Sequence, residues 1–175
     1  KTSLVEAMLA LGGEISRIGD IESGTTISDY HPGEKDRQIS IHSTPLHMEW
    51  DQKKFNIIDA PGYSDFIGES ISSLAVVDMA AVIIHAVNGI EVGTESMWSS
   101  ATDLGIPKIL IVNGLDREHT KFESILEQAK ERIGKNVFPM QIPVNAGPDF
   151  NQVIDVLRRE LITYKTDGSG AYSED

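Results

Sequence analysis

The sequence contains no cysteine among its 175 residues. A disulfide framework and a thiolate metal site are therefore both excluded, which suits a reducing compartment such as the cytosol. Basic residues are also few, because 15 lysines and arginines stand against 27 aspartates and glutamates and leave a net charge of −12. This balance argues against non-specific binding of nucleic acid by this chain, which would need a basic face.

Long apolar runs are missing as well. The longest, residues 74–87, is too short to span a bilayer and contains Asp78 and His85. The apolar stretch near the start is interrupted by Glu6 and has only Lys1 as a basic residue before it, which does not fit a signal peptide. We therefore expect a soluble, cytoplasmic protein with no membrane partner.

Helical and strand patterns alternate along the chain. Apolar residues recur at helical spacing over residues 4–9, 67–75, 94–104 and 122–133, and strand patterns cover residues 38–46, 55–58, 80–87, 109–112 and 137–144. The first two strands are expected to pair as a hairpin across the turn at residues 50–53. This alternation predicts an α/β fold with a doubly wound, mostly parallel sheet. The polar residues 13–37 show no period, which indicates a disordered or a functional segment.

Asp59-Ala60-Pro61-Gly62 directly follows the apolar strand at residues 55–58. Open α/β sheets place their ligands at this end of a strand. The Asp59 carboxylate could hold Mg²⁺, and the Gly62 N–H could approach a terminal phosphate because no side chain intervenes. The same four residues also fit an ordinary corner between a strand and a helix. Only the motifs elsewhere in the chain distinguish a nucleotide site from such a corner.

Lys1 and Thr2 open the first helical pattern, as they would after a Walker A phosphate loop. In such a site Lys1 would neutralise the β- and γ-phosphates, and the Thr2 hydroxyl would ligate Mg²⁺. The glycines of that loop are absent, and a lysine at the start of an amphipathic helix is also commonplace. Ser40 could supply a second hydroxyl to the ion, or it could be a solvated strand serine.

Asn113-Gly114-Leu115-Asp116 follows the strand at residues 109–112. The Asp116 carboxylate could accept hydrogen bonds from N1–H and the 2-amino group of guanine, which adenine does not match. Asn145 and Ala146 follow the last predicted strand, where a backbone N–H could meet guanine O6. Each tetrapeptide alone is also explained by turn formation. Together and in this order, the motifs predict a P-loop nucleotide-binding domain without its first strand and phosphate loop.

These motifs resemble the GTPase domain of elongation factor G, and more closely the elongation factor G-like branch that carries Asp-Ala-Pro-Gly-Tyr. The resemblance extends to about residue 164 and includes Arg37-Gln38-Ile39-Ser40-Ile41 in place of Arg-Gly-Ile-Thr-Ile. It implies a GTP-binding domain over residues 1–147, the start of an insertion subdomain over residues 148–175, and strands within residues 150–164. It also implies a monomer that binds GTP·Mg²⁺ and the ribosome and does not read DNA sequence.

The sequence departs from this family at positions that bear on function. Tyr63, assigned to catalysis together with Gly62, stands where the family has the histidine that orients the attacking water. Gly114 replaces the lysine whose stem covers the guanine plane, whereas Ser40 keeps the hydroxyl of the family's threonine. A GTP-sensing module with negligible turnover, or a ribosome-protection or peptide-release factor, are therefore the alternatives to a ribosome-stimulated GTPase.

The resemblance further implies a strand and a phosphate loop ahead of Lys1. Without them, the strands at residues 55–58 and 80–87 would each have an exposed apolar edge, which favours aggregation. We therefore expect the 175-residue chain expressed alone to be poorly soluble and to show no measurable GTP binding. Micromolar affinity for GTP in equilibrium dialysis of the isolated chain would contradict this expectation.

Overall fold

The computed structural model describes every residue from Lys1 to Asp175. The helices are α1 (Thr2–Leu11), α2 (Pro32–Arg37), α3 (Ile67–Leu74), α4 (Val92–Asp103) and α5 (Phe122–Arg132). The strands are β1 (Thr44–Trp50), β2 (Lys53–Asp59), β3 (Ala80–His85), β4 (Lys108–Asn113), β5 (Gln141–Pro143), β6 (Gln152–Asp155), β7 (Glu160–Tyr164) and β8 (Tyr172–Glu174). A short 3₁₀ turn at Ser64–Phe66 precedes α3. The α/β class predicted from the sequence is confirmed.

Strands β1 and β2 form the expected antiparallel hairpin, in register from Thr44 opposite Asp59 to Trp50 opposite Lys53. Asp51 and Gln52 both have positive φ, at 48° and 60°, as the favoured two-residue hairpin turns require. The prediction of a strand over residues 38–46 is wrong for its first six residues, since β1 begins at Thr44. Backbone N–H groups before that point donate to a buried carboxylate instead of a strand ladder.

Strands β3 and β4 pair with each other as the parallel part of the fold. The Ala80 N–H donates to the Pro107 carbonyl at 2.9 Å, and the Ala86 N–H donates to the Asn113 carbonyl at 2.8 Å. The two partners are the same number of residues apart in both bonds, which is the pattern of a parallel pair. Helix α4 lies between these strands in the chain, as a parallel connection requires.

Strands β5 to β8 form an antiparallel sheet in sequence order. The prediction of strands within residues 150–164 is confirmed by β6 and β7. The strand predicted over residues 137–144 is wrong in length, because β5 covers only Gln141–Pro143. Val137 donates to the Gly134 carbonyl in a turn, and Pro139 has no N–H for a ladder. The predicted domain boundary at residue 147 lies between β5 and β6 and stays a prediction.

The chain divides into two compact units, residues 1–80 with 100–107 and residues 81–99 with 108–175. The core of the first unit is formed by Val5, Leu9 and Met48. The core of the second is formed by Ile84, Ala86, Ile90, Ile125 and Ala129. Apolar residues four apart on α1 and α5 lie on one helix face and supply these cores. The chain has no helix that combines the length and the apolar character needed to cross a membrane.

Candidate functional site

The three predicted metal-binding residues meet in the first compact unit. Thr2 begins α1 and Asp59 ends β2, and their side chains are 4% and 3% exposed. The Thr2 hydroxyl donates to Asp59 Oδ2 at 2.8 Å and lies 3.3 Å from the Ser40 hydroxyl. Hydroxyl and carboxylate oxygens are the ligands that Mg²⁺ accepts in proteins. We call Thr2, Ser40 and Asp59 the oxygen cluster.

A second carboxylate, that of Asp29, is turned toward the oxygen cluster and was not singled out by the sequence. Asp29 is 5% exposed. Burial raises the pKa of Asp29, a hydrogen bond with Ser40 opposes that shift, and the nearby Asp59 carboxylate adds to it. A cation close to two neighbouring carboxylates stabilises their ionised forms. Asp29 lies within the polar residues 13–37, and no local pattern distinguishes it from the other polar residues there.

Lys1 and Gly62, the predicted phosphate-binding pair, also lie together. The Lys1 amine donates to the Ala60 carbonyl at 2.6 Å. A Cβ atom added to Gly62 would lie 2.6 Å from Lys1 Nζ, so any other residue there would displace the amine. Burial lowers the pKa of the Lys1 amine, whereas the Asp59 and Asp29 carboxylates counteract the shift. This arrangement places a cationic donor against the Asp59–Gly62 loop.

The loop that carries Tyr63 is held by hydrogen bonds of its backbone, whereas the Tyr63 side chain is exposed. The Ser70 hydroxyl on α3 donates to the Pro61 carbonyl at 2.8 Å and is buried. The Tyr63 carbonyl accepts the Phe66 N–H at 3.1 Å, which starts the 3₁₀ turn. The Tyr63 side chain itself is 59% exposed. Its phenol is therefore accessible to water one residue beyond Gly62.

Glu34, in the short helix α2, organises the chain around Ser40. The Glu34 side chain is buried, and its carboxylate accepts backbone N–H bonds from His31, Ile41 and His42 at 3.1, 2.9 and 3.0 Å. Burial alone would raise the pKa of Glu34, but the N–H donors of His42, Ile41 and His31 outweigh it and hold the pKa below its ordinary value. Ser40 is thus positioned by a buried side chain six residues earlier.

The polar segment before α2 is held in the same way by Glu6 on α1. The Glu6 carboxylate is fully buried and accepts the N–H groups of Gly19 at 2.8 Å and Ile27 at 2.6 Å. Thr25 Oγ1 accepts the Asp20 N–H at 2.9 Å within the same segment. These bonds give the segment a defined path without regular secondary structure. The helix that begins at Thr2 therefore also fixes the chain that leads to Asp29 and Ser40.

Ser43 links the end of this segment to α3. Its N–H donates to Glu69 Oε2 at 2.9 Å, and its hydroxyl donates to the Glu69 carbonyl at 3.2 Å. The Ser73 hydroxyl donates to the Ser43 hydroxyl at 2.9 Å. The segment that carries Ser40 and the helix that follows Tyr63 are therefore connected by direct hydrogen bonds.

The predicted guanine-recognition segments meet in the second compact unit. The Asn113 carbonyl accepts the Ala86 N–H at 2.8 Å, which fixes the end of β4 against β3. The Gly147 N–H donates to the Leu115 carbonyl at 2.7 Å and joins the loop of residues 113–116 to the loop of residues 145–147. Asn113 and Asp116 are both exposed. Their side chains are accessible to a ligand over this pair of loops.

The Asn145 side chain is committed to its own loop. Its amide nitrogen donates to the Asp149 carbonyl at 2.7 Å and to Asn151 Oδ1 at 2.9 Å. Its amide oxygen accepts the N–H groups of Asn151 at 3.2 Å and Gln152 at 3.0 Å. Any contact of Asn145 and the exposed Ala146 with a base would therefore be made through the backbone, as the sequence predicts.

The Glu34 clamp can be tested by the substitution Glu34→Gln. In Glu34→Gln the new amide nitrogen would face a backbone N–H donor and could not accept its hydrogen bond. We therefore expect the free energy of unfolding to fall by about 1 kcal/mol and amide exchange at Ile41 and His42 to become about fivefold faster. Because the folded-state pKa of Glu34 lies below its ordinary 4.5, this stabilisation is present above pH 4.5 and is lost as the pH falls through the folded-state value.

Hydrogen exchange followed by mass spectrometry measures the effect of Glu34→Gln, with Asp36→Asn on the exposed face of the same helix as the control. Unchanged exchange at Ile41 and His42 in the Glu34 variant would show that the carboxylate does not hold this segment.

Comparison with known proteins places these loops in a family. Residues 1–166 match the model of the elongation factor Tu GTP binding domain. The chain is 38% identical over 174 residues to the mitochondrial ribosome-releasing factor 2 of Debaryomyces hansenii, with 97% of this chain and 20% of that protein covered. It is 37% identical over 170 residues to elongation factor G of Salinibacter ruber, with 97% of this chain and 24% of that protein covered.

A solved structure gives the same result for the fold. A crystal structure of a Thermus thermophilus protein superimposes with a TM-score of 0.91 at 32% identity, over 99% of this chain and 26% of that one. The chain thus spans about a fifth to a quarter of the length of its relatives. The P-loop fold predicted from the sequence is confirmed, and the chain belongs to the elongation factor Tu GTP-binding domain family.

Proposed function

We propose that this chain binds GTP with Mg²⁺ and hydrolyses it within a translation factor that acts on the ribosome. The observation that carries the proposal is the oxygen cluster, in which Thr2 and Asp59 are buried and Ser40 is half-buried, with Lys1 against the adjoining Asp59–Gly62 loop. Carboxylate and hydroxyl oxygens beside a lysine amine match a metal-bound phosphate chain. The family supplies the nucleotide class, since its model is that of a GTP-binding domain.

The oxygen cluster suits a cation that is shared with the nucleotide. The chain has no group of three or more histidine, cysteine or acidic side chains able to hold a metal by themselves. Thr2, Ser40 and Asp59 would hold Mg²⁺ together with phosphate oxygens and water, and Asp29 would add negative charge nearby. The bound ion supplies neutralisation of phosphate charge. Lys1 would place its amine on the β- and γ-phosphates.

Base recognition and hydrolysis use the remaining loops. Asp116 would accept two hydrogen bonds from guanine, with Asn113 and the backbone of Asn145 and Ala146 completing the pocket. The Gly62 N–H would donate to the γ-phosphate. The exposed Tyr63 hydroxyl would hydrogen-bond the attacking water, as the family's histidine does, and so orient it for in-line attack.

Two segments would act as switches ordered by the γ-phosphate, residues 13–40 and residues 59–72. The hydrogen bonds of Ser43 with Glu69 and Ser73 support coupled movement of the two segments. The names of the relatives, ribosome-releasing factor 2 and elongation factor G, support the ribosome as the partner. The expected monomer stays a prediction. The cytoplasmic location also stays a prediction, because the ribosome-releasing factor 2 relatives are named as mitochondrial proteins.

Two alternatives compete with a ribosome-stimulated GTPase. In one, Tyr63 and Gly114 leave a GTP-sensing module with negligible turnover. In the other, the same domain serves a ribosome-protection or peptide-release factor. The names of the relatives, an elongation factor and a ribosome-releasing factor, favour a role in elongation or ribosome release over these alternatives.

Calorimetry of the intact protein tests the nucleotide assignment. We expect binding of GTP in Mg²⁺ buffer, weaker binding when the ion is chelated, and no binding of ATP. Equal affinity for ATP and GTP would contradict guanine recognition, and affinity unchanged by chelation would contradict the oxygen cluster as a magnesium site.

Asp29 gives a separate test of the metal assignment. Because a nearby cation would stabilise its buried carboxylate, Asp29→Asn should raise the Mg²⁺ concentration for half-maximal GTP affinity by about fivefold, roughly 1 kcal/mol. The measurement is a Mg²⁺ titration at fixed fluorescent GTP analogue, with the exposed Asp36→Asn as the matched control. Identical titrations for Asp29→Asn and the parent would remove Asp29 from the magnesium site.

A further inference from the structure

Gly114, in the loop of residues 113–116, has no side chain, and the imidazole of His85 lies beside it. Gly114 has φ of 80°, a conformation that favours glycine. A Cβ atom added there would lie 3.6 Å from His85 Nε2, 4.0 Å from His85 Cδ2 and 3.7 Å from Arg117 Cγ. These are ordinary contact distances, so the imidazole occupies the space next to the bare position.

The backbone of His85 is held firmly in this place. His85 ends β3 between the buried residues Ile84 and Ala86, and the alternation of a strand turns its own side chain outward. Its carbonyl accepts the Gly89 N–H at 2.9 Å. Because the Ala86 N–H is bonded to the Asn113 carbonyl at 2.8 Å, the position of His85 relative to the loop is fixed.

The orientation of the His85 ring is set by one further contact. Its Nδ1 accepts the Val87 N–H at 3.3 Å. A neutral imidazole that accepts at Nδ1 carries its proton on Nε2, which is the atom nearest Gly114. The side chain is exposed, so the ring is accessible to a ligand over the loop.

We propose that His85 is a nucleotide-binding residue whose ring covers the plane of the guanine base. This inference rests on the proposed function, in which guanine lies over the loop of Asn113 and Asp116. Nucleobases stack on aromatic side chains with little regard to sequence, because every base has a π face. Gly114 has no side chain that could contact the base, and the ring of His85 would supply that contact.

Arg117 is the other side chain near Gly114, and the structure favours His85 over it. Arg117 belongs to the loop itself and reaches Gly114 with a methylene of its flexible stem. His85 is on a paired strand, and its ring is oriented by a hydrogen bond. A rigid ring loses less conformational entropy on binding than a flexible stem.

The test is the affinity of the intact protein for a fluorescent GDP analogue. We expect His85→Ala and His85→Leu to weaken binding by about fivefold, because neither has a flat aromatic face. His85→Phe keeps that face and should stay within about twofold of the parent, as should Arg117→Ala, the control. Dissociation rates should rise in the two weakened variants, and circular dichroism verifies that each variant is folded.

Three results would overturn the proposal: parental affinity in His85→Leu, a loss in His85→Phe as large as in His85→Leu, or a larger loss in Arg117→Ala than in His85→Ala. Because His85→Leu and His85→Phe are similar in bulk, they give an answer even where His85→Ala is unstable. The preference of Asp116→Asn for XTP over GTP tests the guanine site separately. A retained nucleotide switch with parental affinity in His85→Leu would therefore refute the role of His85 alone.

Discussion

Replacing Asp116 with asparagine should shift the nucleotide preference of the intact protein from GTP toward XTP by at least about a hundredfold. The Asp116 carboxylate presents two acceptors to the N1–H and 2-amino donors of guanine. Asparagine turns one acceptor into an NH₂ donor, which mismatches the 2-amino group and matches the 2-oxo group of xanthine. An unmade hydrogen bond to a charged partner costs a few kcal/mol, which sets the size of the shift.

Competition of GTP and XTP against a fluorescent guanine nucleotide, on the variant and the parent, measures this preference. Glu118→Gln is the matched control, because Glu118 is an exposed acidic residue just beyond the loop. If Asp116 merely shapes a turn, both nucleotides should bind slightly and equally more weakly. A variant that still prefers GTP would remove Asp116 from base recognition.

Replacing Tyr63 with phenylalanine should lower ribosome-stimulated turnover by at least tenfold, about 1.4 kcal/mol of barrier. The change removes only the hydroxyl that we propose holds the attacking water. Nucleotide affinity should change little, because the phosphate contacts of Lys1 and Gly62 remain. Single-turnover phosphate release in the presence of ribosomes measures the effect.

Tyr172→Phe is the control for loss of a phenol, because Tyr172 in β8 is also exposed. Equal rates for Tyr63→Phe and the parent would show that the hydroxyl takes no part in hydrolysis. The chemistry would then depend on the phosphates, the ion and the backbone donors.

Local patterns in the sequence were sufficient to predict the strands and the turn that precede the motifs. The apolar run before Asp59, the turn at Asp51 and Gln52, and the strand before Asn113 all formed as predicted. Each of these depends on residues adjacent in the chain, for which hydrophobic period and turn chemistry are informative. The proximity of Thr2 to Asp59 also followed from the sequence, because both motifs occur at known ends of their elements.

Features that depend on distant hydrogen bonds could not be predicted from the sequence. Glu34 draws the N–H groups of Ile41 and His42 away from the predicted strand, and nothing in the local pattern marks a buried glutamate. Asp29 and His85 are assigned to the site only because of neighbours that are distant in the sequence. Asp29 lies near Asp59, and His85 lies near Gly114. Hydrophobic periodicity does not detect such contacts.

Phosphate release from GTP by the intact protein, measured with and without ribosomes, decides whether this domain is a ribosome-stimulated GTPase. We expect slow release by the protein alone, acceleration by ribosomes of at least about tenfold, equivalent to about 1.4 kcal/mol of barrier, and no release from ATP. Tight GTP binding without accelerated release would contradict this expectation and would identify the domain as a GTP-sensing module.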